Sequence, residues 1–566
     1  MKFAAFVLTV LVLICSCGLA AQTTTPDFGP NVLIVDSHDK TVQQQITSLF
    51  DKQETNQFGS QRYACLFKPG NYDLDVQAGF YTQLLGLGRS PDDVMIDGGV
   101  RSMAGWMQGN ATCNFWRSVE NVAIIPSKHR GTAVWAVSQG TDLRRMHLRG
   151  SLNLWDGGWS SGGFLADCKV DGRVVSGSQQ QWISRNADWG RWDGGVWNMV
   201  FVGVNHPPDG SWPEKPVTVI EQTPTRREKP YLFVDEAGKF FVMVPALIGK
   251  PSRGTSWEHD DSKAISIDDF YLAHAETDTA ATINAALAAG KNLVVTPGIY
   301  HLESSIQVTR PDTVVLGLGY ATLIPTTSAP AMVISDVDGV KVAGLMFDAG
   351  PTSSSTLLRV GETGKSKSHV SNPTFLYDIC ARAGGAEPGT TECFVTINSN
   401  NVVGDNLWLW RADHGSGAGW DTNRVRNGLI VNGVDVTMYG LFVEHCQEYQ
   451  TVWNANGGRV YFYQSEMPYD PPSQQAWSHD GVNGYASYKV ADSVTNHQAF
   501  GLGIYCYFTA APVVADNAIE TPTGAGIKMH NMCSVRLNGE PGSGISHVIN
   551  GRGDGVVPAK PVRVLE

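Results

Sequence analysis

The chain has 566 residues, a formal net charge of −12, and is 42% hydrophobic and 17% charged. That length leaves room for two or more domains with an ample core, and the acidic balance gives no electrostatic footprint for nucleic acid or anionic lipid. A neutral partner fits better: the 16 Trp and 17 Tyr supply flat apolar faces with polar edges that suit sugar rings, besides their ordinary use as core.

Residues 1–21 place one Lys before an apolar run closed by small residues, the pattern of a secretory signal peptide with cleavage near Ala20 or Ala21. No later stretch is apolar for long enough to span a bilayer, so the expected mature protein is secreted, extracellular or vacuolar. Eight cysteines follow the leader without any C-x-x-C pair, and Cys380 with Cys393, separated by a Gly-rich loop, is the expected disulfide. The sequon Asn110-Ala111-Thr112 requires surface placement to carry a glycan.

A repeat divides the rest. A helix-like segment at Thr41 to Phe50 precedes Cys65 to Leu74 (CLFKPGNYDL) and an LGLG at Leu85 to Gly88. The same order returns at Thr279 to Ala288, Leu293 to Leu302 (LVVTPGIYHL) and Leu316 to Gly319. The chain therefore reads as two copies of one fold. The LGLG pairs lack the G-x-G-x-x-G spacing and βαβ setting of a dinucleotide loop.

Short apolar-alternating runs closed by Gly, Asn or Asp follow each start, as at Thr313 to Gly319, Ala331 to Asp336, Val340 to Asp348 and Asn401 to Trp410. Such spacing without long helices predicts an all-β solenoid or sandwich, and the cadence is that of successive parallel β-helix coils. Residues 205–275, rich in Pro and charge, read as a linker with its own hairpin at Tyr231 to Val242. The expected domains are 22–204 and 276–566, lying side by side with a ligand cleft between them.

Glu466 sits among aromatic residues and prolines, in Tyr461 to Pro472 (YFYQSEMPYDPP). Burial there raises a carboxyl pKa and suits a proton donor, or else the residue is merely polar at a strand end. Glu444 lies 22 residues earlier, a spacing that puts both on neighbouring coils. Gln179 and Gln181 share a face if their segment is a strand, either holding water or forming a plain glutamine ladder. Asp413 beside His414, and His479 beside Asp480, either bind sugar hydroxyls or cap turns. No His and carboxylate spacing supports a metal site, and no cofactor is expected.

The repeat, Ser178 to Trp182 (SQQQW) with Gly195 to Asn198 (GVWN), Val443 to Gln450 (VEHCQEYQ) and above all Tyr463 to Tyr469 (YQSEMPY) resemble glycoside hydrolase family 55 over nearly the whole mature chain. The resemblance implies an exo-acting β-1,3-glucanase built from two tandem right-handed parallel β-helices, inverting, with Glu466 as general acid. It also implies a glutamate at the Glu444 position and a water held by a hydrogen-bond network. Tyr469 then either lines the sugar pocket or packs under the turn at Pro468. The partner is a β-1,3-glucan, and a monomer is adequate. Two other readings stay open from the residues alone: a polysaccharide lyase, which needs a cationic cleft or calcium, and a non-catalytic carbohydrate-binding β-helix.

Overall fold

The computed structural model describes residues 25–257, 262–364 and 367–566. The expected leader, residues 1–21, lies outside them.

Each copy is a parallel β-helix. In the first, nine strands from Val32–Val35 to Val217–Ile220 stack in register as one sheet, beside an eight-stranded second sheet. In the second, a 14-stranded sheet and a nine-stranded sheet alternate along the chain. In the large sheets, strands such as Phe375–Ala383 and Thr437–Glu444 are buried along their whole length because both faces are covered, whereas strands of the other sheets, such as Gly70–Gln77, alternate buried and exposed residues. A helix opens each stack, Val42–Gln53 and Ala280–Ala288, where the sequence placed them. The repeated tyrosines act alike: the Tyr72 hydroxyl donates to Val35 O and Lys68 O, and that of Tyr300 to Ala273 O and Thr296 O.

One left-handed residue per coil bends the long strands of the second stack. Asp378 (φ 48°), Asn406 (68°), Gly440 (76°), Phe462 (74°), Gly501 (67°) and Asn531 (59°) occupy the same register position, and the regular pairing skips each of them. Asn, Asp and Gly tolerate this conformation, which explains their spacing in the sequence.

The connection differs from expectation at its ends. The first stack continues past residue 204, since Val217–Ile220 adds a parallel strand after the Pro-rich loop, and the second begins at Phe270–Ala273. Between them the predicted hairpin is present, with Val234 opposite Phe240, and Lys263–Ser266 adds a third antiparallel strand.

The two stacks pack side by side through their large sheets. An apolar layer that includes Phe115, Trp116, Phe164, Trp408, Trp410 and Phe442 fills the interface. Within it lies a buried ionic lattice. Arg144 grips Asp378 with two bonds of 2.8 Å, Arg185 reaches Asp405 at 2.9 Å and Glu228 at 2.7 Å, and Lys229 links Glu120 at 2.7 Å to Asp378 at 2.9 Å.

The expected Cys380–Cys393 disulfide is absent: both are free thiols. The loop between them carries the chain from one sheet of the coil to the other, so Cys380 faces the interface and Cys393 donates to Val395 O and Gly428 O. Asn110 of the sequon is half-buried, its Oδ1 accepting from Thr112 N at 3.1 Å.

Candidate active site

In-register pairing stacks side chains in columns. Trp410, Glu444, Glu466 and Tyr505 are successive partners across four neighbouring strands, and Trp408, Phe442, Gln464 and Gly503 form the column two residues away. Period-2 alternation turns both columns to one face, which is the face against the first stack. Glu444 and Glu466 are thus held one rung apart by the backbone ladder itself.

Both carboxyls are buried, Glu466 being 8% and Glu444 2% exposed. Burial pushes the Glu466 pKa well above the usual carboxylate range, the neighbouring Glu444 adds to this, and the Tyr469 hydroxyl, which donates to Glu466 Oε2, opposes it. Burial likewise pushes Glu444 up to about 7, against the Trp408 indole that donates to its Oε2 at 2.8 Å. Two neighbouring carboxyls in so dry a setting, both with raised pKa values, titrate as a pair.

Neighbours fix this pair. His445 Nδ1 lies 3.1 Å from Met467 O and so carries its proton there, leaving Nε2 turned toward Glu466 Oε2 at 3.7 Å and Asp413 Oδ1 at 4.0 Å. Burial keeps the His445 pKa below its ordinary value, hence neutral. Arg411 clamps Asp470 with two bonds of 2.8 Å and donates to His445 O at 3.3 Å, pinning the turn that presents Tyr469.

The first stack closes the site. Gln464 Nε2 lies 3.5 Å from both Glu466 Oε1 and the Tyr505 hydroxyl, Tyr505 meets Ser161 Oγ at 3.1 Å, and Gln139 donates to Ser161 O at 2.9 Å. A polar chain therefore runs from the carboxyl pair across the interface. Gln464 Oε1 is a buried acceptor without a donor among the described residues, the arrangement expected where a hydroxyl or water is to be held.

Of the residues singled out from the sequence, the fold brings Glu466, Glu444, Tyr469 and Asp413 together. Gln179 is elsewhere: the strand begins only at Gln181, and the Gln179 amide is consumed by Gly162 N, Val137 O and Leu154 O. It buttresses the turn that carries Ser161. Gln181 reaches Gly503 O at 3.4 Å and accepts from Asn198, so it seals the interface beneath Gln464. A Cβ on residue 503 would lie 2.0 Å from Gln181 Oε1, which is why glycine stands there. His479 is spent on Tyr449 and Gly484 O in a small hairpin, with Asp480 exposed at its left-handed tip. Sequence reasoning missed Gln464 and His445, both inside the quoted motifs. It also missed Trp408, Tyr505, Ser161 and Gln139, which only the stacking brings near.

Residues 270–466 match the model of the LAM55 pectate lyase-like domain. The chain is 48% identical over 534 residues, 93% of its length and 87% of the relative's, to an exo-beta-1,3-glucanase of Streptomyces sp. (strain SirexAA-E / ActE). Among solved structures it is similar to sacteLam55A from Streptomyces sp. SirexAA-E, with a TM-score of 0.93 at 46% identity, covering 95% of this chain and 98% of that one. A glutamate-to-alanine variant of sacteLam55A in complex with glucose matches with the same TM-score of 0.93, covering 96% and 98%.

Proposed function

The chain belongs to glycoside hydrolase family 55 and acts on β-1,3-glucan, and from that premise we propose a secreted, monomeric exo-glucanase that releases glucose with inversion. The observation that carries the reading is the in-register Glu444 and Glu466 pair, buried at the interface with raised pKa values. Glu466 keeps a proton near neutral pH and delivers it to the leaving glycosidic oxygen. Tyr469 orients that carboxyl and stabilises the carboxylate left behind.

Neighbouring strands lie about 4.8 Å apart, so no sugar ring fits between Glu444 and Glu466. A two-carboxylate arrangement in which the base stands about 6.5 to 9.5 Å from the acid, with water between, is not built from these two alone. Glu444 works instead with Gln464, Tyr505, Ser161 and Gln139, whose polar chain supplies acceptors to position and deprotonate the attacking water. Exo attack is supported by the loop Trp155 to Gly163 of the first stack, which brings Ser161 to Tyr505 and holds Trp159 64% exposed beside it. In this reading that loop walls one end of the substrate cleft.

A lyase must neutralise a uronate carboxylate. The cations beside the site are already paired, Arg411 with Asp470 and His414 with Asp413, and Glu444, Glu466 and Asp413 make the site acidic. A purely binding protein gains nothing from two desolvated carboxyls with raised pKa values.

The test is a time course on laminarin followed by proton NMR. Glucose from the first points, initially as the α-anomer, is the expected result. Initial β-glucose would overturn inversion, an early ladder of oligosaccharides would overturn exo attack, and unsaturated products would revive the lyase. Secretion is checked by the N-terminus of the protein recovered from the medium, expected near Gln22.

A further inference from the structure

Tyr505 joins the two stacks in the polar chain beside the carboxyl pair, yet its hydroxyl makes only long contacts, 3.1 Å to Ser161 Oγ and 3.5 Å to Gln464 Nε2. Contacts of that length do not fix a ring, so packing has to. The ring is 2% exposed and belongs to a small cluster with Trp197, Trp212, Cys533 and Val535. Trp197 meets it with its edge, at a centroid distance of 5.5 Å and an interplanar angle of 62°.

Both tryptophans come from loops of the first stack. Trp197 stands between the strands Asp188–Asp193 and Asn198–Val202, and Trp212 lies in the Pro-rich loop before Val217–Ile220. The carbonyls beside them are taken up from the second stack. There Val562–Val564 pairs antiparallel with Ile527–Arg536 at the end of the large sheet and places Arg563 opposite Cys533. The Arg563 guanidinium donates at 3.2 Å to Val196 O, one residue before Trp197, and at 3.2 Å to Pro213 O, one residue after Trp212. It also lies 5.5 Å over the Trp212 ring, whose indole donates to Val564 O at 3.1 Å. A planar fork of donors takes two carbonyls at once, which the single ammonium of a lysine on its flexible stem does not reproduce.

We propose that Arg563 is a positioning residue for the hydrolysis: by tying down both tryptophans it holds Tyr505 where its hydroxyl joins Gln464 to Ser161. This role rests on the reading above, in which that chain positions the attacking water. The partners of Arg563 are carbonyls of the first stack, so it acts on the reaction through Trp197 and Tyr505. Its loss does not part the stacks, because the buried ionic lattice and the apolar layer of the interface remain. What loosens is the wall behind Tyr505, and with it the placing of the water rather than that of the glucan.

The test measures kcat and KM on laminarin for wild type, Arg563→Ala, Tyr505→Phe and the double variant. A misplacement of about 1 Å can cost about 10²-fold, and a loosened wall short of that should lower kcat about tenfold in Arg563→Ala, with KM near wild type. Tyr505→Phe should lower kcat by itself. In that background Arg563→Ala should cost nothing more, since the hydroxyl it serves is gone, whereas a merely structural role would lower both backgrounds by the same factor. Wild-type kcat in folded Arg563→Ala, a loss carried by KM, or equal factors in the two backgrounds overturns the proposal. Where Arg563→Ala does not fold, Arg563→Lys, which keeps the charge and loses the fork, carries the same cycle. Full kcat in Tyr505→Phe overturns this role and leaves the glucanase reading in place. If the wild-type protein fails to hydrolyse laminarin, the glucanase reading falls and this role with it.

Discussion

Glu466→Gln keeps the shape of the side chain and loses the proton, so activity on laminarin should fall about 10² to 10⁴-fold with the fold intact, as circular dichroism would verify. Glu444→Gln should lose activity too, since its Oε1 would be replaced or rivalled by an amide beside Gln464. Wild-type turnover in either variant would remove that residue from the mechanism. Tyr469→Phe gives a signed test. Its hydroxyl favours the ionised form of Glu466 and so lowers a pKa that burial raises. Without it that pKa should climb, and the alkaline limb of the kcat/KM profile, which reports the group that must stay protonated, should move to higher pH. A shift to lower pH would contradict the assigned hydrogen bond. Glu466 was legible because its carboxylate stands alone in an aromatic run, whereas Ser161 and Gln139 gave no local sign: their relevance comes from a contact across more than 300 positions of sequence, such as Ser161 with Tyr505.

At the scale of elements, the coil corners were legible wherever the left-handed position is filled by Gly, Asn or Asp. Phe462 was not, because an aromatic residue at φ 74° carries strain of about 1 to 3 kcal/mol that only surrounding packing sustains. It is held between the stacks, 5.0 Å from the Phe442 ring, four residues before the acid. The misread glutamines have a related cause: alternation applies within strands, and the strand starts at Gln181. Coils are also stapled by His369, whose Nδ1 meets Asp338 at 2.7 Å and whose Nε2 meets Asp336 at 2.9 Å. Burial opposes protonation there, but the two aspartates outweigh it and raise the pKa above 6.5. A raised folded-state pKa stabilises fully below the unfolded value and loses that contribution as pH rises through the folded one. Melting temperatures of wild type should therefore drop more than those of His369→Gln between about pH 6 and pH 9. Parallel curves would mean the staple carries no charge.

The whole molecule depends on the ionic lattice between the stacks. Asp405 accepts from both Arg144 and Arg185, so Asp405→Ala leaves two buried guanidiniums short of a partner and should cost about 3 to 5 kcal/mol in denaturant unfolding. Asp142 makes a contrast: burial and the charge of Asp378 raise its pKa well above 3.8, so it is largely uncharged, and Asp142→Asn should stay close to wild-type stability. Equal losses in both variants would show that the lattice is not balanced this way. Neither half, residues 25–257 or 262–566 expressed separately, should hydrolyse laminarin, because Ser161 and Gln139 belong to one and Glu444 and Glu466 to the other. Hydrolysis by the second half alone would make the first a scaffold. The side-by-side pairing was legible from the repeat, but the lattice was not, since its acids and bases are scattered singly through strands that look alike.

The separation of the two glutamates is set by a hydrogen-bonded ladder, in the way the pitch of a screw sets the distance between threads. A moving lid cannot change that backbone spacing, because the strands above and below hold both rungs. Insertions in this chain are therefore quantised: a loop can lengthen at a corner, or a whole coil can be added beyond the pair, without disturbing it. One extra residue between Gly458 and Glu466 would turn every later side chain of that strand to the opposite face and point Glu466 away from Glu444. Variation in what the pocket accepts is accordingly left to the loops of the facing stack, while the reacting pair is fixed by the backbone.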